Sequence, residues 1–293
     1  MAVRARAAAP QRVGGPMSGF DSERFKANER AGFNRIAGRY LAGAAARQAL
    51  QQALVELAAP APGERILDLA SGPCLLAADA AARIGDGGLV VASDIAEAML
   101  ACGRDALAHE APAPMVYCAA DAETLPFADD CFDLVTIGLG LFILPDPSAA
   151  LAEVRRVLVA DGRVALSVWG PADTVPLISH AQACIARLLP PPRVPRPSVF
   201  RFGEAPVLAR LLGDAGFGTT DITDYRLDCR FADAGDYWQA FLDLAGGAAE
   251  AIARLPEAVG RELADEVARD LQPCRDGDGY ATSNRVLLAL AHK

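Results

Sequence analysis

The sequence predicts an α/β protein built on a parallel sheet covered by helices on both faces, and three observations predict it. Short, nearly continuous apolar runs recur near 65–70, 88–93, 115–120, 132–138 and 163–169. Amphipathic segments lie between or beside them, near 75–84, 96–109 and 148–158; in the last, Leu151, Val154 and Leu158 share one face while Glu153, Arg155 and Arg156 point away. The first apolar run feeds a tight turn, Leu69-Ala-Ser-Gly72-Pro-Cys74, and then a helix. Strands buried on both faces lose the polar alternation of a half-exposed sheet, and parallel neighbours need long crossovers, which these helices supply.

The elements follow in order. Met1 to Pro16 is rich in Ala, Arg, Gly and Pro, lacks the apolar core of a secretory signal, and reads as a disordered tail upstream of a second candidate start at Met17. One long helix is expected over 21–58, closed by Pro60, Pro62 and Gly63. The strand Arg65-Ile-Leu-Asp68-Leu and its turn are followed by Val90-Val-Ala-Ser-Asp94, which ends in a carboxylate. Asp94 lies 94 − 72 = 22 positions after Gly72, close to the ~20 expected of an acid that holds a ribose in a nucleotide-binding βαβ unit. A turn that lets backbone approach a ligand, with an acid one strand over, describes a nucleoside site; with Gly72 alone in place, it is not the dinucleotide G-x-G-x-x-G turn. Met115-Val-Tyr-Cys-Ala-Ala-Asp121-Ala122 is a strand ending in an acid, Phe132 to Gly138 the next strand, and Leu151 to Gly170 a helix, a glycine turn and a fifth strand.

Beyond Gly170 the pattern loosens. Prolines bracket a helix at 177–189, and further helices are expected at 205–214, 234–253 and 256–271. Residues 219–231 alternate as a strand, and 282–291 form a last apolar strand, seven in all. The segments 171–202 and 232–278 exceed ordinary connection lengths and read as lids on one domain, 17–293, whose core is 64–170.

Composition bounds the function. At 293 residues, 52% hydrophobic, the chain can bury a large core. A net charge of −9 with a sequence pI of about 4.9 repels phosphate backbones, so nucleic acid is excluded and a small-molecule partner favoured. No apolar run is long enough to span a membrane. The seven cysteines are scattered without a C-x-x-C pair, and the three histidines make no ligand spacing, so no metal site is expected; reduced thiols fit a cytoplasmic protein. Nothing in the sequence sets an oligomeric state.

Taken in order, the motifs over 65–170 resemble the class I S-adenosylmethionine-dependent methyltransferases. Their first loop reads Asp/Glu-x-Gly-x-Gly-x-Gly; Asp68 and Gly72 match, while Ala70 and Cys74 replace the outer glycines. The resemblance implies a Rossmann-like, seven-stranded sheet with an antiparallel last strand, and S-adenosyl-L-methionine as cofactor. It places the cofactor against Ala70, Ser71, Gly72 and Gly138, its ribose on Asp94, its adenine between Ile95 and Met99 with the amino group on Asp121 and a ring nitrogen on the backbone of Ala122, and Tyr40 above it. Asp94 is expected to support cofactor rather than core. Ala70 fits if its φ stays negative. Cys74→Gly is expected to be tolerated unless the thiol itself meets ligand.

The entry segment Phe33-Asn-Arg-Ile-Ala-x-x-Tyr40 is most similar to the ubiquinone/menaquinone-pathway C-methyltransferase type. Its Phe-Gly-Leu-Arg-Asn after strand four is replaced here by Leu139-Gly140-Leu141-Phe142-Ile143. An apolar acceptor wall at Phe142, Ile143 and Trp169 is one reading, and ordinary packing of those side chains is the other. Transfer from a sulfonium needs alignment and exclusion of water more than a catalytic side chain. Where a base is needed, His180 on the 171–202 segment is the candidate, against the alternative of a solvated helix histidine. The implied activity is C- or O-methylation of a small apolar acceptor; the rivals are a non-methylating reaction such as a cyclisation on the same cofactor, and a non-catalytic binding protein.

Overall fold

The computed structural model describes residues 20–107, 114–191 and 195–293. The tail assigned to 1–16 and the last residues of the helix expected at 96–109 lie outside these.

The N-terminal helical segment is two helices. α1 (Ser22–Ala42) starts at Asp21, whose side chain accepts from the Arg24 N–H, and α2 (Gln48–Ala58) follows a 3-10 turn, Gly43–Arg47. The break has a local cause in Arg47. Its guanidinium turns back to donate to the carbonyls of Tyr40 (3.0 Å) and Gly43 (3.4 Å), satisfying groups that a continuous helix would have bonded. It also stacks 4.3 Å over the Tyr40 ring.

The remaining elements run β1 (Arg65–Leu69), α3 (Leu75–Ile84), β2 (Leu89–Asp94), α4 (Glu97–Leu107), β3 (Met115–Ala119), β4 (Phe132–Gly138), α5 (Pro147–Val157), β5 (Leu158–Trp169), α6 (Pro176–Leu188), α7 (Ala205–Asp214), β6 (Thr220–Phe231), α8 (Ala234–Leu244), α9 (Gly246–Ala253), α10 (Glu257–Asp270), β7 (Arg275–Asp276) and β8 (Gly279–His292). Three departures from the expected elements stand out. The helix over 234–253 divides between Leu244 and Gly246, where Gly246 has a φ of +40° and a Cβ would sit 2.7 Å from the Phe33 ring. β5 starts at Leu158, directly after α5, rather than at 163. The two-residue β7 adds an eighth strand by pairing with the start of β8.

The sheet order is β3-β2-β1-β4-β5-β8-β6, with β7 on the edge of β8. β1 to β5 are mutually parallel where they pair, and β8 runs antiparallel between β5 and β6. The order therefore reverses between β1 and β4, and in an open α/β sheet the crevice at the carboxyl ends of two such strands is where ligands bind. The central strands are apolar and fully covered, as at Ile66, Leu67, Val90, Leu134, Val135 and Leu166. Their buried polar residues are few: Asp68, Ser93, Thr136 and Ser167, all in the carboxyl-terminal halves of β1, β2, β4 and β5. A core does not place polar groups at one edge for packing, so this clustering marks the site.

The segments after β5 fold back over that edge. The buried Asn284 of β8 accepts from the Leu177 N–H at 2.9 Å and donates to the Leu227 carbonyl at 3.0 Å, tying α6 and β6 to the sheet. Arg196 pairs with the buried Glu29 of α1 through both carboxylate oxygens (2.5 and 3.0 Å). Gly203 packs so closely that a Cβ there would sit 2.3 Å from the Gly170 carbonyl carbon. No described helix is long and apolar enough to cross a membrane.

Candidate cofactor cleft

The turn after β1 is strained into a bowl. Ala70, Gly72 and Cys74 all take left-handed backbone, at φ +54°, +55° and +61°. A negative φ at Ala70, which the sequence reading required, is not what the turn adopts. Alternate residues turn left-handed to bring Leu69 over into α3, and only the middle position is a glycine. Each non-glycine residue there costs about 1 kcal/mol or somewhat more. Ala70→Gly is accordingly expected to raise stability by up to about 1 kcal/mol, less what the freer unfolded chain takes back; a lower melting temperature would contradict this.

Cys74 is fully buried and faces away from the cleft, against α4 at Gly103, and burial pushes its thiol up to about 12. It does not crowd a ligand. Cys74→Gly should leave cofactor affinity unchanged, with relief of the left-handed backbone offset by lost packing.

The cleft itself lies between this turn, α2 and the ends of β4 and β5. Tyr40, Ala70, Ser71, Gly72 and Gly138 line it as the sequence led us to expect; Arg47, Gln51, Asp68, Leu139 and Ser167 line it unforeseen. Asp68 forms the floor. Its carboxylate accepts from Thr136 Oγ1 (2.7 Å) and Ser71 Oγ (2.5 Å), and burial raises it to about 6 in spite of those bonds. Gly72 is demanded by its φ of +55°, since a Cβ there would reach the Tyr40 ring only at an ordinary contact distance of 3.8 Å.

Asp94 sits at the end of β2 and holds the turn from below. One oxygen accepts from the Gly72 N–H at 2.9 Å and the other from the Ala96 N–H at 2.8 Å. Burial raises its pKa, and those N–H bonds work against the rise. Asp94 is thus a structural clasp between the turn and the start of α4, and the expectation that it supports no core is corrected.

Other residues fall differently. Met99 is buried with Ile36 and Ala37 of α1 and Ala249 of α9, so it offers no open face to an adenine ring; Ile95, beside Asp94, is half-buried. Asp121 carries an unforeseen partner. Lys26 of α1 donates to it at 2.7 Å and to Glu123 at 2.6 Å, while the Glu123 N–H occupies its second oxygen at 3.0 Å. Ala122 beside it is buried.

Phe142 and Trp169 belong to the main core, and Ile143 packs against it half-buried. These three do not line the cleft; packing, the plainer reading of them, is what the structure shows. His180 is also elsewhere. Its Nε2 lies 3.5 Å from Cys274 Sγ, beside Asp270 at the seam of α6 with α10, outside the cleft lining. The structure does not bring His180 to the cleft, and His180→Ala is expected to leave turnover and its pH profile within about twofold of the parent; a loss of ~10²–10⁴ would restore the base role.

Comparison with known proteins decides the family. Residues 45–190 match the model of the ubiE/COQ5 methyltransferase family. The ubiquinone/menaquinone biosynthesis C-methyltransferase UbiE of Teredinibacter turnerae is 44% identical over 111 residues, 38% of this chain and 45% of that protein. Its counterpart from Xanthomonas campestris is 46% identical over 103 residues, 35% of this chain and 41% of that one. The chain belongs to the class I S-adenosylmethionine-dependent methyltransferases. It spans just under half the length of the curated relatives it matches, and the family-model range, 45–190, carries the cleft-forming strands and turns.

Solved structures agree at the level of fold. The YcgJ protein of Bacillus subtilis aligns with a TM-score of 0.54 at 19% identity, covering 83% of this methyltransferase chain and 97% of its own. The cyclase SpnF aligns at 0.51 and 20%, covering 83% and 79%. A Haemonchus contortus phosphoethanolamine N-methyltransferase, solved with S-adenosyl-L-methionine, aligns at 0.51 and 18%, covering 84% and 52%.

Proposed function

We propose that the protein transfers a methyl group from S-adenosyl-L-methionine to a small, largely apolar acceptor. One observation carries the reading: the cleft at the β1/β4 switch point has fixed charges of both signs. Asp68 is on its floor with Asp94 behind the turn, and the buried Arg47, which has no carboxylate partner among the described residues, is on its wall. A ligand with an ammonium, a carboxylate and a sulfonium matches that arrangement, whereas a neutral nucleoside would leave Asp68 and Arg47 uncompensated. The residues present fit the cofactor. In this assignment Asp68 and Arg47 face its amino-acid end, Gly72 gives its backbone room, Asp94 takes the ribose hydroxyls, and Ile95, Asp121 and Ala122 border the adenine.

The cofactor supplies an electrophilic methyl group with a good leaving group. The chain's own contribution is to orient the acceptor, and Tyr40 of α1 with Leu50, Gln51 and Leu54 of α2 wall the cleft against water. We place the acceptor beyond Leu139, over the loop that leaves β4. With His180 beside Cys274 at the α6–α10 seam, a general base is not part of the reading.

The test is incubation of the protein with methyl-labelled S-adenosylmethionine and a panel of apolar aromatic and polyketide-like acceptors. Label in the acceptor together with an equal amount of S-adenosylhomocysteine supports the reading. Conversion of an acceptor with no S-adenosylhomocysteine formed would mean a cyclisation or another non-methylating reaction.

A further inference from the structure

We propose that Arg201 binds a carboxylate on the methyl acceptor, so that the substrate class is an apolar body carrying an anionic carboxyl group. This rests on the methyltransferase reading above and narrows its acceptor. Among the described residues, two buried side-chain atoms lack a hydrogen-bond partner, Ser93 Oγ and Arg201 Nε. A hydroxyl without a partner is a modest cost. An N–H of a guanidinium is a charged donor, and leaving it dry is costly unless something else meets it.

The rest of the Arg201 side chain shows how it is held. One Nη donates to the Leu144 carbonyl, and the guanidinium lies 4.8 Å over the Phe202 ring. No carboxylate forms an ion pair with it among the described residues. The nearest acids are committed elsewhere: Asp146 caps α5 through the Ala149 N–H (3.0 Å), and Glu123 is held by Lys26 (2.6 Å) and the Asp146 N–H (2.8 Å). Burial lowers the guanidinium pKa to about 10, which still leaves it cationic at neutral pH. The protein therefore holds a half-desolvated positive charge, fixed at one Nη and unpartnered at its buried Nε.

Its place in the fold points to the acceptor. Leu144 ends the loop that leaves β4 through Gly138 and Leu139, both in the cleft lining. Gly203, two residues on, is pressed against Gly170 at the end of β5, and Ser167 of β5 also lines the cleft. Arg201 is thus bracketed by the carboxyl ends of the two strands flanking the proposed acceptor space, with Asp146 and Glu123 as the charged groups that act on it. Leu144, Phe200 and the buried Phe202 supply apolar surface beside the charges of Asp146 and Glu123, which suits an otherwise hydrophobic ligand. A carboxylate is the preferred occupant because it can take the free Nε–H and a neighbouring Nη–H side by side.

Benzoate and benzamide are the probes, isosteres that differ in charge, titrated into the full chain saturated with S-adenosylhomocysteine. We expect benzoate to bind at least about tenfold more tightly than benzamide, the least that one charged hydrogen-bonded pair gives. Arg201→Gln should reduce the ratio to about one, and Arg201→Lys should restore part of it. Equal binding of the two probes to the wild-type protein, or a ratio that survives in Arg201→Gln, overturns the proposal. The same titration reports S-adenosylhomocysteine affinity, which Arg201→Gln should leave unchanged. If S-adenosylhomocysteine does not bind the wild-type protein, the methyltransferase reading fails instead.

Discussion

Asp94→Ala is expected to weaken S-adenosylmethionine binding by about ten- to a hundredfold or more and, in the same variant, to lower stability by roughly 2–4 kcal/mol. The first effect follows from the ribose: hydrogen bonds to a charged acceptor contribute about 1.5–3 kcal/mol each. The second follows from the structure. Removing the carboxylate orphans the N–H groups of Gly72 and Ala96, which it accepts at 2.9 and 2.8 Å. The turn it steadies already carries the left-handed Ala70 and Cys74. Asp94→Asn separates the two effects, since its amide oxygen retains one of the N–H bonds while the charge is lost. Denaturant unfolding of both variants, with calorimetric titration of the folded protein, checks this. Wild-type affinity in a folded Asp94→Ala protein would remove Asp94 from the cofactor site.

Asp68→Asn should change the pH dependence of both folding and binding. Asp68 is fully buried, and its pKa stands at about 6 against an ordinary 3.8. A pKa raised in the folded state means the fold prefers the protonated acid. The corresponding stability is fully present below about pH 4 and is lost as pH rises through about 6, a loss of about 3 kcal/mol for a shift of about two units. Asp94, also raised by burial, contributes with the same sign, and its charge adds to the rise at Asp68. Asp68→Asn should therefore flatten the stability profile between about pH 4 and 6 and match or exceed the wild type at pH 7. Cofactor binding should respond in the opposite sense. A cation needs the ionised acid, so wild-type affinity falls as pH drops below about 6, while the variant binds about tenfold or more weakly at pH 7 with little pH dependence in that range. Melting temperatures and titrations across pH 4–8 measure both; a variant that binds as tightly as the parent would detach Asp68 from the ligand.

How much of this was readable in the chain depends on whether the signal was local. The five parallel strands were placed within a residue or so, apart from the early start of β5, because a strand covered on both faces leaves an unbroken apolar run such as Ile66-Leu67 or Leu134-Val135. Gly72 and Asp94 were legible because a turn glycine and a strand-end acid follow backbone geometry. Arg47 was not, since an arginine in an alanine-rich helical segment reads as solvated until the 3-10 turn folds it inward. Asp68 was recognised as part of the turn motif, but its role as cleft floor depends on Thr136, sixty-eight residues away. Arg201 lay in a proline-rich stretch without periodicity. Phe142, Ile143 and Trp169 misled because an apolar residue at a strand end packs into a core as readily as it lines a pocket. His180 misled because a histidine's ordinary pKa suits a base wherever it lies, and only tertiary contact with Cys274 placed it at the α6–α10 seam.

The measurement that bears most directly on the charged cleft is calorimetric titration of the full chain with S-adenosylmethionine and, separately, with adenosine, at pH 7.5 and pH 5. With Asp68 and Arg47 in the cleft and Asp94 beneath its turn, S-adenosylmethionine should bind one equivalent, at least about tenfold more tightly than adenosine at pH 7.5, with the advantage shrinking at pH 5 as Asp68 takes up its proton. Absence of binding, or adenosine binding as tightly as S-adenosylmethionine at both pH values, would contradict it.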